Sequence, residues 1–186
     1  MEDIRGYILL TETETFLSKL IQLYTKSRYN HASIALESEL TEVYSFGRKK
    51  ANNPFIGGFV KEDLNTGLFH NAECEIYTFS MTRQQKQQLI WNIRHIQKQN
   101  QVYRYNFLGL FGVLFNKPIK RRHAYFCTQF VSSMLQDSHI IAFRKPLSLI
   151  TPNDLKNCLE FQLVYRGKLK DYINMSINDD QSDQLV

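Results

Sequence analysis

The sequence predicts an α+β domain, an antiparallel sheet packed against helices, on three observations. Short apolar runs of strand length alternate with longer segments whose apolar residues recur at i, i+3, i+4 and i+7. Two of the longer segments open with Thr followed three residues later by Glu or Gln, the capping box that starts a helix. Between them, two strand-like runs flank a short polar turn, as in a hairpin. The 186 residues suit one domain able to bury roughly 70% of its unfolded surface. A composition of 43% hydrophobic and 22% charged residues excludes a disordered or fibrous chain.

Taken in order, Gly6 to Leu10 (GYILL) reads as a strand and Thr11 to Lys26 as a helix. In that helix Thr11 and Glu14 stand at capping-box spacing, and Phe16, Leu17, Leu20, Ile21 and Tyr24 share one face. The hairpin arms run from Asn30 to Leu36 and from Leu40 to Phe46, turning at Glu37 to Glu39. Gly47 to Gly67 is a long Gly-, Asn- and Lys-rich connection, either a flap hinged at Gly57-Gly58 or a long loop that Phe55, Ile56 and Phe59 anchor to the core. CEIYTFSM is a strand. The segment after it is a helix with Thr82 and Gln85 as its capping box and Leu89, Ile93 and Ile96 as its buried stripe. YRYNFLGLFGVLF fits helix or loop. Thr151 and Pro152 mark the N-cap and first residue of a short helix, and FQLVYRG is a strand. Residues 1–177 form a single domain, and 178–186 are a polar, disordered tail.

Several function classes fall away. Cys74, Cys127 and Cys158 have no CxxC spacing, which argues against a zinc site or a disulfide framework, and no metal or cofactor is expected. The start of the chain lacks a basic leader and an apolar core, and no run approaches the ~20 apolar residues that span a bilayer. A cytoplasmic protein with reduced thiols is the expectation, with peripheral membrane contact left open. The net charge is +5, with one basic cluster at Lys117, Lys120, Arg121 and Arg122. That cluster is either a solvated loop or an attractor of an anionic surface. No nucleic-acid motif accompanies it, so nucleic acid is not an expected partner.

The chemistry centres on HAYFCTQFVSSML, His123 to Leu135. Cys127, Phe130, Val131, Met134 and Leu135 form one helical face, which puts the cysteine in the first turn. There it is either a small core residue or a nucleophile whose thiolate the backbone N–H groups stabilise. A nucleophile needs a base. Of five histidines, His95 falls on a polar helix surface and His70 and His139 in connections, while His123 lies four residues before the cysteine. His31 opens a strand on which Ser33 and Ala35 are small on its own face. This either leaves room for a substrate or marks a strand histidine hydrogen-bonded at a sheet margin, the reading the pattern alone favours. Ala32, Ile34 and Leu36 point to a core.

YNHASIAL early and YFCTQFVSSML late resemble the circularly permuted NlpC-type papain-like cysteine hydrolases, in particular the YiiX-like group related to lecithin:retinol acyltransferase. The resemblance runs from about Gly6 to Tyr172. It implies a papain-like fold, Cys127 as nucleophile, His31 as general base and a polar third residue on the next strand. A two-residue turn at Ser38 and Glu39 gives that third role to Glu42, with Tyr44 next, and turns Ser45 away; one residue more in the turn reverses this. Ser33, Tyr125, Phe55 and Phe59 are the candidate substrate contacts. The implied activity is hydrolysis or acyl transfer on an amide or ester through a Cys127 thioester, with a peptide- or lipid-derived acyl substrate. Two other classes stay open: a silent binding module on the same fold, and an anionic-surface or nucleic-acid binder using Lys117 to Arg122. Cys74 and Cys158 read as packed thiols.

Overall fold

The computed structural model describes residues 4–13, 27–49, 57–65, 67, 69 and 71–183. Its strands are β1 (Ile4–Thr11), β2 (His31–Ala35), β3 (Val43–Arg48), β4 (Gly57–Lys61), β5 (Glu73–Met81), β6 (Arg104–Tyr105), β7 (Ala124–Tyr125) and β8 (Gln162–Lys168). Its helices are α1 (Arg83–Lys98), α2 (Phe107–Leu114), α3 (Cys127–Asp137), α4 (Pro152–Lys156) and α5 (Leu169–Asp183). Six strands make one sheet in the order β4-β3-β2-β1-β5-β8, antiparallel at every pairing. β6 and β7 form a separate parallel pair.

β1 lies inside the sheet, which is why its residues read as a continuous apolar run rather than an alternation: Ile8, Leu9 and Leu10 are all buried, on both faces. One face, carrying Ile8, Leu10, Ile34, Phe46 and Phe79, meets Leu89 and Ile93 of α1 and Phe130, Val131 and Leu135 of α3. The other, carrying Leu9, Ala35, Val43 and Ile76, is covered by Leu169 and Ile173 of α5. The capping box on α1 forms as expected, with Thr82 Oγ1 accepting from Gln85 N and Gln85 Oε1 from Thr82 N. Thr151 caps α4 with Pro152 in its first turn. No helix among the described residues is long and apolar enough to cross a membrane.

Four expectations change. Thr11 ends β1 opposite His31 and Cys74 rather than opening a helix; the rest of that expected helix, from residue 14 to 26, lies outside the described residues. The hairpin pairs Ile34 with Tyr44 and Ala35 with Val43, one residue further along than a two-residue turn allows. The extra residue is taken up in the 36–42 connection, where Leu40 adopts φ 55°. The expected flap is in part sheet: Gly57, Gly58 and Phe59 belong to β4 and pair with Arg48, Gly47 and Phe46. A Gly-Gly pair held by ladder hydrogen bonds is not a hinge. Finally, α5 runs through most of the expected tail to Asp183, beginning directly where β8 ends; 184–186 lie outside the described residues.

Candidate active site

Cys127 stands first in α3 because Phe126 before it is extended (φ −109°, ψ 172°) and leads out of β7. The helix is anchored there by Phe130 and Val131 in the core and by Thr128, whose hydroxyl donates to the carbonyl of Ile150. Phe126 offers no side-chain cap, so the backbone N–H groups of the first turn are not taken by one. Cys127 itself is buried.

His31, the first residue of β2, has its side chain beside Cys127, close enough for the thiol to favour the imidazole's proton. Its other partner is Glu62: Nε2 donates to Oε1 at 2.6 Å. Ser33 Oγ donates to Glu62 Oε2 at 2.7 Å, and Ser45 Oγ donates to Oε1. Glu62 follows β4 directly, and its backbone N–H still reaches the carbonyl of Val43. The His31 ring beside Cys127 is therefore held by a carboxylate that serines of two strands brace. The Phe69 ring closes one side, 5.8 Å between centroids.

The electrostatics follow from burial. Side-chain exposure is 13% for His31 and 3% for Glu62, so neither charge can be met by bulk water. Burial disfavours the His31 cation, but the Glu62 charge and the hydrogen bonds with Cys127 and Glu62 overcome it and raise the imidazole to about 10. Burial likewise disfavours the Glu62 anion, yet the His31 charge and the hydroxyls of Ser45 and Ser33 hold the carboxyl below its usual range.

The remaining candidates sort as follows. Glu42 does not reach His31; it pairs with Lys61 at 2.9 Å on the surface, because the longer turn brings Ser45 to the His31 face in its place. Tyr44 is buried against Phe59, with stacked rings 5.8 Å apart. Ser33 is fully buried and bonded to Glu62, so the room expected beside His31 for a substrate is filled by that carboxylate. Phe59 packs in the core against Phe46 and Phe130 and is no substrate contact. Phe55 and His70 lie outside the described residues. Tyr125, half-buried, does line an open cleft, as does His123, whose ring stands edge-on to Tyr103. His95 stacks on Trp91 along α1.

Cys74 sits fully buried in β5, and burial pushes its thiol up to about 12. Cys158 is raised to about 12 by burial and by its bond to Glu160. Among the described residues, no imidazole acts on either thiol. Glu62 is the residue that sequence reasoning missed. The signal available was the apolar pair Phe59-Val60 followed by Lys61-Glu62, which fits an edge strand ending at Lys61, just before Glu62.

Fold and site together define an α+β domain with a buried cysteine–histidine–glutamate constellation at the start of a helix. Compared with known proteins, the sequence matches no family model and no curated relative.

Proposed function

We propose that this protein is a thiol-dependent hydrolase or acyltransferase of papain-like architecture in the permuted NlpC-type, YiiX-like order. Cys127 is the nucleophile, His31 the proton carrier and Glu62 the residue that orients and charges the imidazole. The observation that carries this reading is the His31 ring shared between Cys127 and a carboxylate that meets no other cation among the described residues. With His31 holding its proton, the sulfur attacks an acyl carbonyl as a thiolate. The C–S bond forms as the carbonyl π-bond breaks, and the backbone N–H groups of the first turn of α3 receive the oxyanion. On collapse the leaving amine or alkoxide takes the proton from His31, giving a thioester. His31, now neutral, removes a proton from water or from an acceptor hydroxyl or amine, which releases the acyl group and restores the ion pair.

The substrate class is an acyl amide or ester derived from a peptide or lipid, acted on in the cytoplasm, where the thiol stays reduced. The test is labelling with a panel of peptidyl and fatty-acyl thioesters, esters and amides, read as adduct mass on Cys127. Acylation of Cys127 that is lost in His31→Ala supports the reading. A chain that stays unmodified across the panel, with Cys127 no more reactive to iodoacetamide than Cys158, returns the fold to a binding module.

A further inference from the structure

We infer that α2 and the basic loop after it dock the protein on a bilayer containing anionic phospholipid. α2 (FLGLFGVL) packs in an unusual sense: its fully buried residues are glycines, Gly109 and Gly112, while Leu108 and Phe111 face out and its other apolar side chains are half-buried. Leu108, Phe111 and the C-capping Phe115 are 52, 55 and 67% exposed, and their i, i+3, i+7 spacing makes them a single stripe. Isolated exposed apolar residues need no explanation; three bulky ones aligned on one helix do. An amphipathic helix serving the core would place them inward.

The chain then turns back on this helix, Lys117 N–H bonding the carbonyl of Gly112, and presents Lys117, Lys120, Arg121 and Arg122, all exposed. Among the described residues, none of these four cations has a carboxylate at ion-pair distance. The sign is uniform over a long stretch: from Ile76 to Gln136 the sequence holds nine Lys or Arg and no Asp or Glu. Behind the loop lies a cleft of about 730 Å³ with Lys120, Arg121 and Arg122 on one wall and Arg144 on another. Ser148 lines it too, 3% exposed, with a hydroxyl that has no partner among the described residues. Guanidinium forks and a free hydroxyl donor suit a phosphodiester headgroup.

Apolar side chains projecting beside unpaired cations match the two layers of a membrane surface, acyl chains under anionic headgroups. A nucleic acid would use the cations and gain nothing from Leu108. A symmetric pairing of two copies would press two basic faces together. The surface is coupled to α3 through Asn106, whose side chain caps α2 at Gly109 and also reaches Gln129, two residues after Cys127. The inference does not depend on Cys127 being catalytic.

The experiment is flotation of the full chain with vesicles of phosphatidylcholine alone or mixed with phosphatidylglycerol. We expect binding to the mixed vesicles only, weakening as salt rises. Lys120→Glu/Arg121→Glu/Arg122→Glu weakens it by at least about a hundredfold, and Leu108→Ser/Phe111→Ser/Phe115→Ser by at least about tenfold. All six positions are exposed, so circular dichroism matching the parent chain confirms folding of both variants. In a Trp91→Phe/Phe111→Trp chain, which has a single Trp, emission shifts to the blue on mixed vesicles as the side chain leaves water. Absence of binding to mixed vesicles overturns the inference. So does binding that only the charge variant weakens, with the emission of that single Trp unmoved. Capture of a single-stranded oligonucleotide in place of vesicles, or an oligomer that the Leu108/Phe111/Phe115 variant dissolves, overturns it in favour of those partners.

Discussion

Glu62→Gln separates a working cysteine–histidine pair from a merely well-bonded one. The amide keeps the shape of Glu62 and an oxygen able to accept from Ser33, Ser45 or His31, but it loses the charge. Two unit charges about 4 Å apart attract by about 4 kcal/mol at an effective dielectric of about 20, which corresponds to roughly three pH units of proton affinity. Removing that attraction brings the His31 imidazole from about 10 down toward neutrality, while burial goes on opposing the cation. Stability changes less, by about 1–2 kcal/mol, since charge-assisted hydrogen bonds become neutral ones.

Glu62→Ala is the harsher control. It leaves an imidazolium buried beside two hydroxyls with no acceptor, a loss of about 3–5 kcal/mol. In Glu62→Gln the imidazole signals of His31, followed by NMR against pH, should move their midpoint down by about three units. Iodoacetamide labelling of Cys127 near pH 7 should slow by about tenfold or more, because the attacking sulfur loses the charged imidazole beside it. A folded Glu62→Gln protein whose His31 titration and Cys127 labelling both superimpose on the parent would refute the reasoning.

Cys127→Ala should abolish acyl-adduct formation and leave the fold intact, as adduct mass and circular dichroism will show, because Ala suits a first helical turn. Cys74→Ala should keep the adduct but cost about 1 kcal/mol in denaturant, the scale of a small core truncation; equal loss of adduct in both would move the chemistry away from Cys127. The His31–Glu62 pair also sets a pH window for stability. His31 is raised from 6.5 to about 10, so its contribution is complete below 6.5 and lost as pH rises through about 10. Glu62 is lowered from 4.5, so its contribution is complete above 4.5 and lost as pH falls through its depressed value. Denaturant midpoints should therefore be highest between those two ordinary values and decline toward pH 10. His31→Gln should flatten the alkaline decline.

The parts of the fold legible in the sequence are those whose signal is local. The capping box at Thr82 and Gln85, the stripe Leu89–Ile93–Ile96, and Pro152 after Thr151 each declare themselves within one or two turns of helix. Cys127 and His31 each stand at the first position of a patterned element, but it was the resemblance of their two motifs, not the local pattern, that paired them. The third site residue was not. Its identity depends on the register of three strands, and one residue in the 36–42 turn exchanges Glu42 for Ser45 on the His31 face. β4 was hidden too, because two glycines in five residues depress strand propensity and the strand lies at the sheet edge. Nothing local links Glu62 to a histidine 31 positions earlier.

A second buried carboxylate in the same sheet shows what a structural one looks like. Glu75 in β5 is as enclosed as Glu62, at 2% side-chain exposure, and burial likewise opposes its charge. Its partners are Lys156 at 2.9 Å and Arg166 at 2.7 Å, with the Tyr77 hydroxyl at 2.7 Å. The Tyr77 hydroxyl and the two basic side chains arriving from α4 and β8 hold it below the usual carboxylate range, and the latter tie both elements to β5. Glu62 instead meets an imidazole, a titratable partner, and that imidazole stands beside a thiol. A buried ion pair is a poor way to add stability when an apolar pair of the same volume serves as well. A sheet built for stability alone has no use for a titratable ring at that position. Glu75→Gln should therefore lower stability by about 2–4 kcal/mol, as removal of one member of a buried ion pair does, and leave the rate and pH profile of Cys127 alkylation unchanged. Glu62→Gln should do the reverse, with a small loss of stability and a large loss of thiol reactivity. If the two substitutions instead shift stability and alkylation in the same proportion, Glu62 is a second Glu75, and the His31–Cys127 contact is packing.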